Sequence, residues 1–174
     1  MKTLLFRSLL TLIIFSCMDS PDQKYSPIVS LQIHDLIKDS LLNIRALEIE
    51  DNRIRAVSAI GDSYSVDLRT NKVYVNRVNV DTINFRASAI VNNNYFTLSI
   101  GNPAYLFRDT ELVYKETHPN IFYDALHFWN SMEGVAIGDP VDGCMSILIT
   151  RNGGTSWNKV SCEVLPSSIE GEAA

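Results

Sequence analysis

The chain has 174 residues, of which 46% are hydrophobic and 20% charged, a composition that excludes a disordered, collagen-like or multi-span membrane protein. Its 15 basic and 20 acidic residues give a formal charge of −5, so a basic surface for nucleic acid is not expected. Length and composition favour a globular protein with an acidic surface.

The first element in chain order has the pattern of an export signal. Lys2 and Arg7 lie in or before a largely apolar stretch from Leu9 to Phe15, and Cys17 follows shortly after it. This stretch is far shorter than the roughly 20 residues needed to cross a bilayer. We therefore predict that residues 1–16 are a signal peptide that is removed. In the alternative, the signal is an ordinary secretory one and the cysteine is incidental.

The end of this signal resembles a bacterial lipobox, carried by Ile14-Phe15-Ser16-Cys17. The resemblance implies that Cys17 receives a diacylglycerol group and that residues 17–27 form a polar tether. Loss of Lys2 and Arg7 with the signal lowers the formal charge to −7, so acyl chains rather than charge would hold the protein on an anionic membrane. We expect an exported protein, lipid-anchored to a bacterial membrane on the periplasmic face or at the cell surface.

The rest of the chain, residues 28–174, contains three similar segments. They begin near residues 44, 85 and 123, and each ends in an Ile-Gly step, at Gly61, Gly101 and Gly138. Each combines two alternating strands with a turn of Asn, Asp or Gly, and a period near 40 residues is typical of a four-stranded propeller blade. We predict an all-β, incomplete β-propeller of three to four antiparallel blades, with repeats near 44–80, 85–116 and 122–162. The stretch from Leu31 to Leu42 is interpreted as a strand and loop of the first blade.

The third repeat contains the turn motif Thr150-Arg151-Asn152-Gly153-Gly154-Thr155-Ser156-Trp157. It resembles the Asp box of bacterial neuraminidase-type (BNR) repeats, with Asn152 where Asp is usual and Ser156 where Thr is usual. The resemblance implies a structural role between the third and fourth strands of a blade. Short polar side chains such as that of Thr150 bond the turn, Gly154 supplies a positive φ, and Trp157 fills the gap between blades. The corresponding stretches, 67–74 and 108–114, lack the Gly and Trp.

A second resemblance covers most of the mature chain and is most specific between residues 85 and 160, above all in Ser99 to Ala104 and Ala136 to Gly143. These residues resemble a group of bacterial lipoproteins related to the photosystem II stability and assembly factor propellers. The resemblance implies a β-propeller that serves as an extracytoplasmic binding or assembly surface. Its partners would be the membrane, through the lipid anchor, and an unidentified protein or glycan, but not nucleic acid.

The sequence contains no recognisable catalytic set, so no catalytic residue, cofactor or metal is predicted. A sialidase needs an arginine triad, a Glu-activated Tyr and an Asp acid, and the Arg-Ile-Pro type of motif is absent. A dinucleotide site needs Gly-x-Gly-x-x-Gly, which the nearest candidate, Gly138 to Gly143, does not match. Asp139 and Asp142 are too few to bind calcium and are interpreted as turn formers. The alternative function is a sialidase-like or other glycoside hydrolase whose catalytic residues lie mostly outside this chain.

Two cysteines flank the turn motif symmetrically, since the midpoint between Cys144 and Cys162 is Gly153. Residues opposite one another in an antiparallel pair bring their Cβ atoms close to disulfide range, and an exported protein is in an oxidising compartment. We therefore predict a disulfide between them, with two buried thiols as the alternative.

Overall fold

The computed structural model of the chain describes residues 27–38 and 42–174. The chain divides into two units, residues 1–34 and 35–174. The described residues of the first unit, 27–34, have no regular secondary structure. The predicted signal peptide and Cys17 lie outside the described residues, as do residues 18–26 of the predicted tether.

Twelve strands in the described part of the second unit form three antiparallel sheets, each of four strands in chain order. Blade 1 contains β1 (Ile44–Glu50), β2 (Arg53–Ser58), β3 (Asp62–Asp67) and β4 (Lys72–Arg77). Blade 2 contains β5 (Phe85–Val91), β6 (Asn94–Ser99), β7 (Ala104–Arg108) and β8 (Glu111–Glu116). Blade 3 contains β9 (Tyr123–Phe128), β10 (Gly134–Val141), β11 (Cys144–Thr150) and β12 (Asn158–Lys159). The predicted all-β class with four-stranded antiparallel blades is confirmed.

The first strand of blade 1 is β1, which begins at Ile44. Residues 31–38, interpreted from the sequence as a strand and loop, contain no strand, so the predicted strand is wrong in this described stretch. Leu31 and Ile33 are 78% and 82% exposed, whereas a strand in a blade buries at least one of its two faces. The apolar residues of this stretch do not alternate with polar ones along its whole length, as they do in a half-buried strand, so their presence alone does not predict a strand.

Strand β11 shows how alternation in the sequence forms a blade. Cys144, Ser146, Leu148 and Thr150 are buried, and the residues between them are only half-buried. Successive side chains of a strand point to opposite faces of the sheet, so one face of β11 is sealed and the other is partly open. The same alternation holds in β3 and in most of β10.

Each blade begins with the same irregular hairpin. The pairing of the first two strands shifts by one residue, at Arg45 in β1, Arg86 in β5 and Asp124 in β9. Such a bulge bends the strand and increases its twist. The structure therefore repeats a backbone irregularity at positions whose side chains differ in charge.

The bulges also set the correct equivalence of the three repeats. The first residues of β1, β5 and β9 pair with Ser58, Ser99 and Gly138. Equating Gly61 and Gly101 with Gly138 is therefore wrong by three and two residues, although the segment starts were aligned correctly. The difference arises because Gly61 and Gly101 lie in the connections that follow the second strand, whereas Gly138 lies within β10.

Two clusters of buried side chains lie between the blades. The larger cluster draws on blades 2 and 3 and includes Phe96, Leu98, Tyr123, Leu148 and Trp157. The smaller one draws on blades 1 and 2 and their connection and consists of Val57, Ile83, Phe85, Tyr95 and Phe107. The two interfaces between consecutive blades thus differ in the amount of apolar packing.

Candidate functional site

A cleft of about 400 Å³ opens between blades 1 and 2, and we refer to it as the interblade cleft. Its apolar side is formed by Phe85, Tyr95 and Phe107, all of which are at most 5% exposed. Its polar side chains come from β2 to β4, the β4–β5 connection, β6 and the β7–β8 turn: Arg55, Ser63, Asn76, Arg77, Asn79, Thr97, Asp109 and Thr110. A cavity of this size with an apolar wall and a few converging polar groups has the make-up of a ligand site.

Arg55 is the residue that gives the cleft its chemistry. Its side chain is only 19% exposed, and its guanidinium carbon lies 5.3 Å from the centroid of the Tyr95 ring. Its ion pair, from Nη1 to Asp109 Oδ1, is 3.6 Å long, which exceeds hydrogen-bond distance. In the part of the chain that the structure describes, its Nε is buried and has no hydrogen-bond partner. The guanidinium therefore has a charge and a buried donor that the protein itself satisfies poorly.

The second arginine of the cleft is neutralised. Arg77 Nε donates to Asp62 Oδ1 at 2.6 Å, and the Asp62 side chain is only 9% exposed. The Tyr64 hydroxyl donates to the other carboxylate oxygen of Asp62 at 3.2 Å. Arg77 thus has a close acidic partner and Arg55 does not.

Tyr95 remains protonated beside Arg55. Burial raises the pKa of Tyr95 to about 12; the negative charge of Glu48 adds to the shift, and the Ser88 hydroxyl and Arg55 oppose it. Burial also raises the pKa of Glu48 above its ordinary value, against the influence of His127 and Ser88. Because Tyr95 is neutral at physiological pH, its hydroxyl carries no negative charge that would offset the positive charge of Arg55.

The turn motif predicted from the sequence lies between β11 and β12, the third and fourth strands of blade 3. Thr150 Oγ1 accepts the backbone N–H of Gly154 at 2.9 Å and donates to Asn152 Oδ1 at 3.0 Å. Asn152 Oδ1 also accepts the N–H of Ser156 at 3.0 Å, and its Nδ2 donates to the Ser156 hydroxyl at 2.8 Å. The structure therefore brings Thr150, Asn152 and Ser156 together in one closed network.

Two further residues of the motif, Gly154 and Trp157, pack between blades. Trp157 is 6% exposed and meets Phe96 of β6 and Phe128 of β9 edge to face, with ring centroids 6.4 and 5.5 Å apart. Gly154 has φ +81°, and a Cβ there would lie 2.3 Å from the Phe96 ring. Only glycine fits this backbone angle and this close approach. The turn thus contributes side-chain packing to the interface of blades 2 and 3.

The structure joins Cys144 and Cys162 in a disulfide with their Cα atoms 5.6 Å apart. The residues are not partners in a strand pair, however. Strand β12 ends at Lys159, and Cys162 begins a short 3₁₀ helix, Cys162–Val164. The disulfide therefore closes the hairpin from a turn that follows β12. The symmetric spacing of the two cysteines in the sequence instead predicts that they face each other within the paired strands.

A Tyr–Glu pair of the kind that a sialidase requires occurs in the described residues, but its geometry is that of a structural tie. The hydroxyls of Tyr123 and Tyr114 donate to Glu116 Oε2 at 2.7 and 2.9 Å, and Lys159 pairs with Oε1. Tyr123 is 0% exposed, and burial together with Glu116 raises its pKa strongly. A buried, firmly protonated phenol cannot reach or attack a substrate. The hydrogen bonds and the ion pair of Glu116 instead join blade 2 to β9 and β12 of blade 3.

Of the two aspartates interpreted as turn formers, Asp142 is in a turn, whereas Asp139 lies within β10 at the bulge in its pairing with β11, so the interpretation is wrong for Asp139. Asp142 and Gly143 form the two-residue β10–β11 turn with φ of 56° and 90°, as a hairpin of this type requires. Asp139 Oδ1 accepts the backbone N–H of Ala174 at 3.0 Å. Within residues 27–38 and 42–174, no cluster of three His, Cys, Asp or Glu side chains is arranged to hold a metal ion.

Sequence reasoning missed the interblade cleft. Arg55 and Tyr95 are 40 positions apart and belong to different blades, and Asp109 lies in a turn whose sequence has no distinctive pattern. The available signal was the absence of a Trp and Gly in residues 108–114. Because these residues form the β7–β8 turn and its flanking strands, the absence of a Trp there predicts an unfilled gap between blades 1 and 2.

No protein-family model matches the sequence, and no curated protein matches it. The fold is similar to solved structures: that of U3-55K (11% identity, TM-score 0.55, 71% of this chain and 40% of that chain) and that of the RRP9 WD40 repeats (11%, 0.55, 74% and 41%). It is also similar to the computationally designed Ika4 protein (13%, 0.52, 79% and 83%). At these identities the likeness concerns the fold alone, and it confirms the predicted β-propeller-type fold.

The chain spans about two-fifths of the length of the U3-55K and RRP9 structures. Within its described residues, no helix is both long and apolar enough to cross a membrane.

Proposed function

We propose that the chain is a non-catalytic binding or assembly module that presents propeller blades to a protein or glycan partner. The observation that carries this proposal is the interblade cleft, which combines an aromatic wall with the incompletely paired Arg55. Propeller-type folds commonly serve as rigid frames for binding sites, and function must be argued from the site. In this chain that site is the cleft.

We further propose that the module is exported and anchored through a lipid on Cys17, as a lipoprotein of Asp-box repeats similar to the photosystem II assembly factor group. The lipobox-like sequence supports the anchor, and the closed network of Thr150, Asn152 and Ser156 supports the Asp-box assignment. The disulfide fits an oxidising compartment.

Site-specific photocrosslinking in the native host tests the binding role. A crosslinking residue at Asn79, which is exposed and lines the cleft, should capture a discrete partner. The matched control is Lys72, which is exposed at the start of β4 and does not line the cleft. Adducts that are the same at both positions, or absent at both, would contradict a partner at the cleft. Turnover of a fluorogenic glycoside panel by the full gene product would instead support the hydrolase alternative, whose catalytic residues lie mostly outside this chain.

Labelling with a radioactive fatty acid tests the anchor separately. Cys17→Ser should abolish incorporation of the label and release the protein from the membrane fraction, because the thiol is the acylated atom. Ser20→Ala, three residues further along the same segment, should leave both unchanged. Firm membrane attachment of the Cys17→Ser variant would refute lipidation.

A further inference from the structure

We propose that the interblade cleft binds a carboxylate attached to an apolar body, with Arg55 as the residue that pairs with the carboxylate. This inference rests on the proposed binding role and specifies the chemistry of its site. The buried Nε of Arg55 has no partner among the described residues, and its contact with Asp109 is 3.6 Å long. Nε itself is covered and is not reached from the cleft, but the Arg55 side chain is 19% exposed and lines the cleft, so an external acceptor can pair with the accessible part of the guanidinium.

The competing anion, Asp109, is a weak partner for Arg55. Its side chain is 47% exposed, and its Oδ1 already accepts the backbone N–H of Tyr95 at 3.2 Å. Because Asp109 is half-exposed and the contact is longer than a hydrogen bond, this ion pair contributes about 1 kcal/mol or less. A ligand that forms two short hydrogen bonds with the guanidinium can therefore displace or share this contact at little cost.

The charge of the cleft favours a single negative charge over a dianion. Arg77 is held by Asp62 at 2.6 Å, so the cleft offers one available cation, and Asp109 faces it with a negative charge. A phosphate would bring about 1.5 to 2 negative charges to a site with one available arginine. A planar carboxylate matches the fork of the guanidinium and carries one charge.

The walls next to Arg55 specify the rest of the ligand. Val78, Val80, Phe85 and Phe107 line the same cleft as Arg55, so a ligand with an apolar or aromatic body buries surface there. Tyr95 stacks against Arg55 at 5.3 Å and fixes its position before a ligand arrives. A prepositioned cation beside an apolar wall suits an arylalkanoic acid or an acidic group exposed beside apolar side chains on a partner.

Binding of 3-phenylpropionate to the full chain, followed by NMR titration, tests this proposal. The acid should bind, and its amide, 3-phenylpropanamide, should bind about 10-fold more weakly or not at all because it lacks the charge. Arg55→Gln should weaken binding of the acid by a similar factor. The matched control Arg53→Gln, two residues earlier on the same strand and outside the cleft lining, should leave it unchanged.

Equal binding of acid and amide, equal binding by Arg55→Gln and the unchanged protein, or no binding of the acid would overturn the proposal. Circular dichroism of Arg55→Gln checks that the variant is folded, and the acid–amide comparison on the unchanged protein stands without any variant. Competition between 3-phenylpropionate and the Asn79 crosslink identifies the source of the carboxylate. If the acid suppresses the Asn79 crosslink, the partner presents the group; if it binds and the crosslink persists, the ligand is a separate small acid. A crosslink at Asn79 without any acid binding would refute this inference and leave the proposed binding role intact.

Discussion

The two interfaces between consecutive blades are formed by equivalent strands, but one is filled by side chains and the other contains an open cleft. Between blades 2 and 3, the β11–β12 turn carries Trp157 against Phe96 and Phe128, and the gap is filled. Between blades 1 and 2, the equivalent β7–β8 turn has only two residues, Asp109 and Thr110, and both line the open cleft. The content of a single turn thus decides whether an interface is packed or left available to a ligand.

Trp157→Ala breaks this contrast most directly. Removing the indole leaves a cavity against the two phenylalanine rings, and we expect the free energy of unfolding to fall by about 3–5 kcal/mol. Arg55→Gln in the open interface should lower it by about 1 kcal/mol or less, because the arginine makes only a long ion pair and a ring contact. Urea unfolding followed by circular dichroism measures both. Equal losses would show that the two interfaces do not differ in packing.

Gly154→Ala tests how tightly the packed interface is closed. The added Cβ meets the Phe96 ring at 2.3 Å and the backbone has a positive φ, so we expect a loss of about 2–4 kcal/mol from strain and overpacking. Gly143→Ala is the matched control, since its φ is +90° and no atom lies within 4 Å of the added Cβ. It should cost only the backbone strain of about 1–2 kcal/mol. Similar losses in the two variants would contradict close packing at Gly154.

The Glu116 network should make the packed interface sensitive to acid. Burial by itself would raise the pKa of Glu116, but hydrogen bonds from Lys159, Tyr123 and Tyr114 outweigh it and hold the pKa below its usual value. A lowered pKa in the folded state adds stability that is present above the unfolded value of about 4.3 and is lost as the pH falls through the folded pKa.

Stability measured by urea unfolding from pH 6 down to pH 3 checks this. The decline should be smaller in Glu116→Gln than in the unchanged protein, because the glutamine has no carboxylate to protonate. The exposed residue Glu170 provides the control, and Glu170→Gln should keep the full decline. The same slope in all three proteins would rule out a contribution from Glu116.

The sequence contained enough to predict the blades and too little to predict the cleft. Period-two alternation and turns of Asn, Asp and Gly identify strands locally, so the starts of β1, β5 and β9 were aligned correctly. The repeat ends are not predicted correctly, because the Ile-Gly step does not occupy the same place in each blade. Strand pairing makes Ser58 and Ser99 the equivalents of Gly138.

The candidate site depends on contacts that have no local signature. The position of Arg55 over Tyr95 requires that blades 1 and 2 are already packed together. The polar network of the turn motif is different, since Thr150 and Asn152 are two residues apart and its bonds can be inferred from spacing. Local networks are predictable from a sequence. A contact between blades is predictable where a motif resemblance implies it, as for Trp157, and not where it has no such motif, as for Arg55 and Tyr95.

The disulfide determines how this end of the chain would respond to a pulling force. Strand β12 pairs with β11 through Leu148–Lys159 and Ile149–Asn158, and the N–H of Val160 donates to the carbonyl of Ile147. Because this pairing is short, a force applied to the segment that follows β12 would separate it from β11 first. Because Cys162 is bonded to Cys144, tension applied beyond residue 162 passes through the sulfur bridge to the beginning of β11. The hairpin, with its aromatic turn, then lies inside a closed loop, residues 144–162, that bears no load.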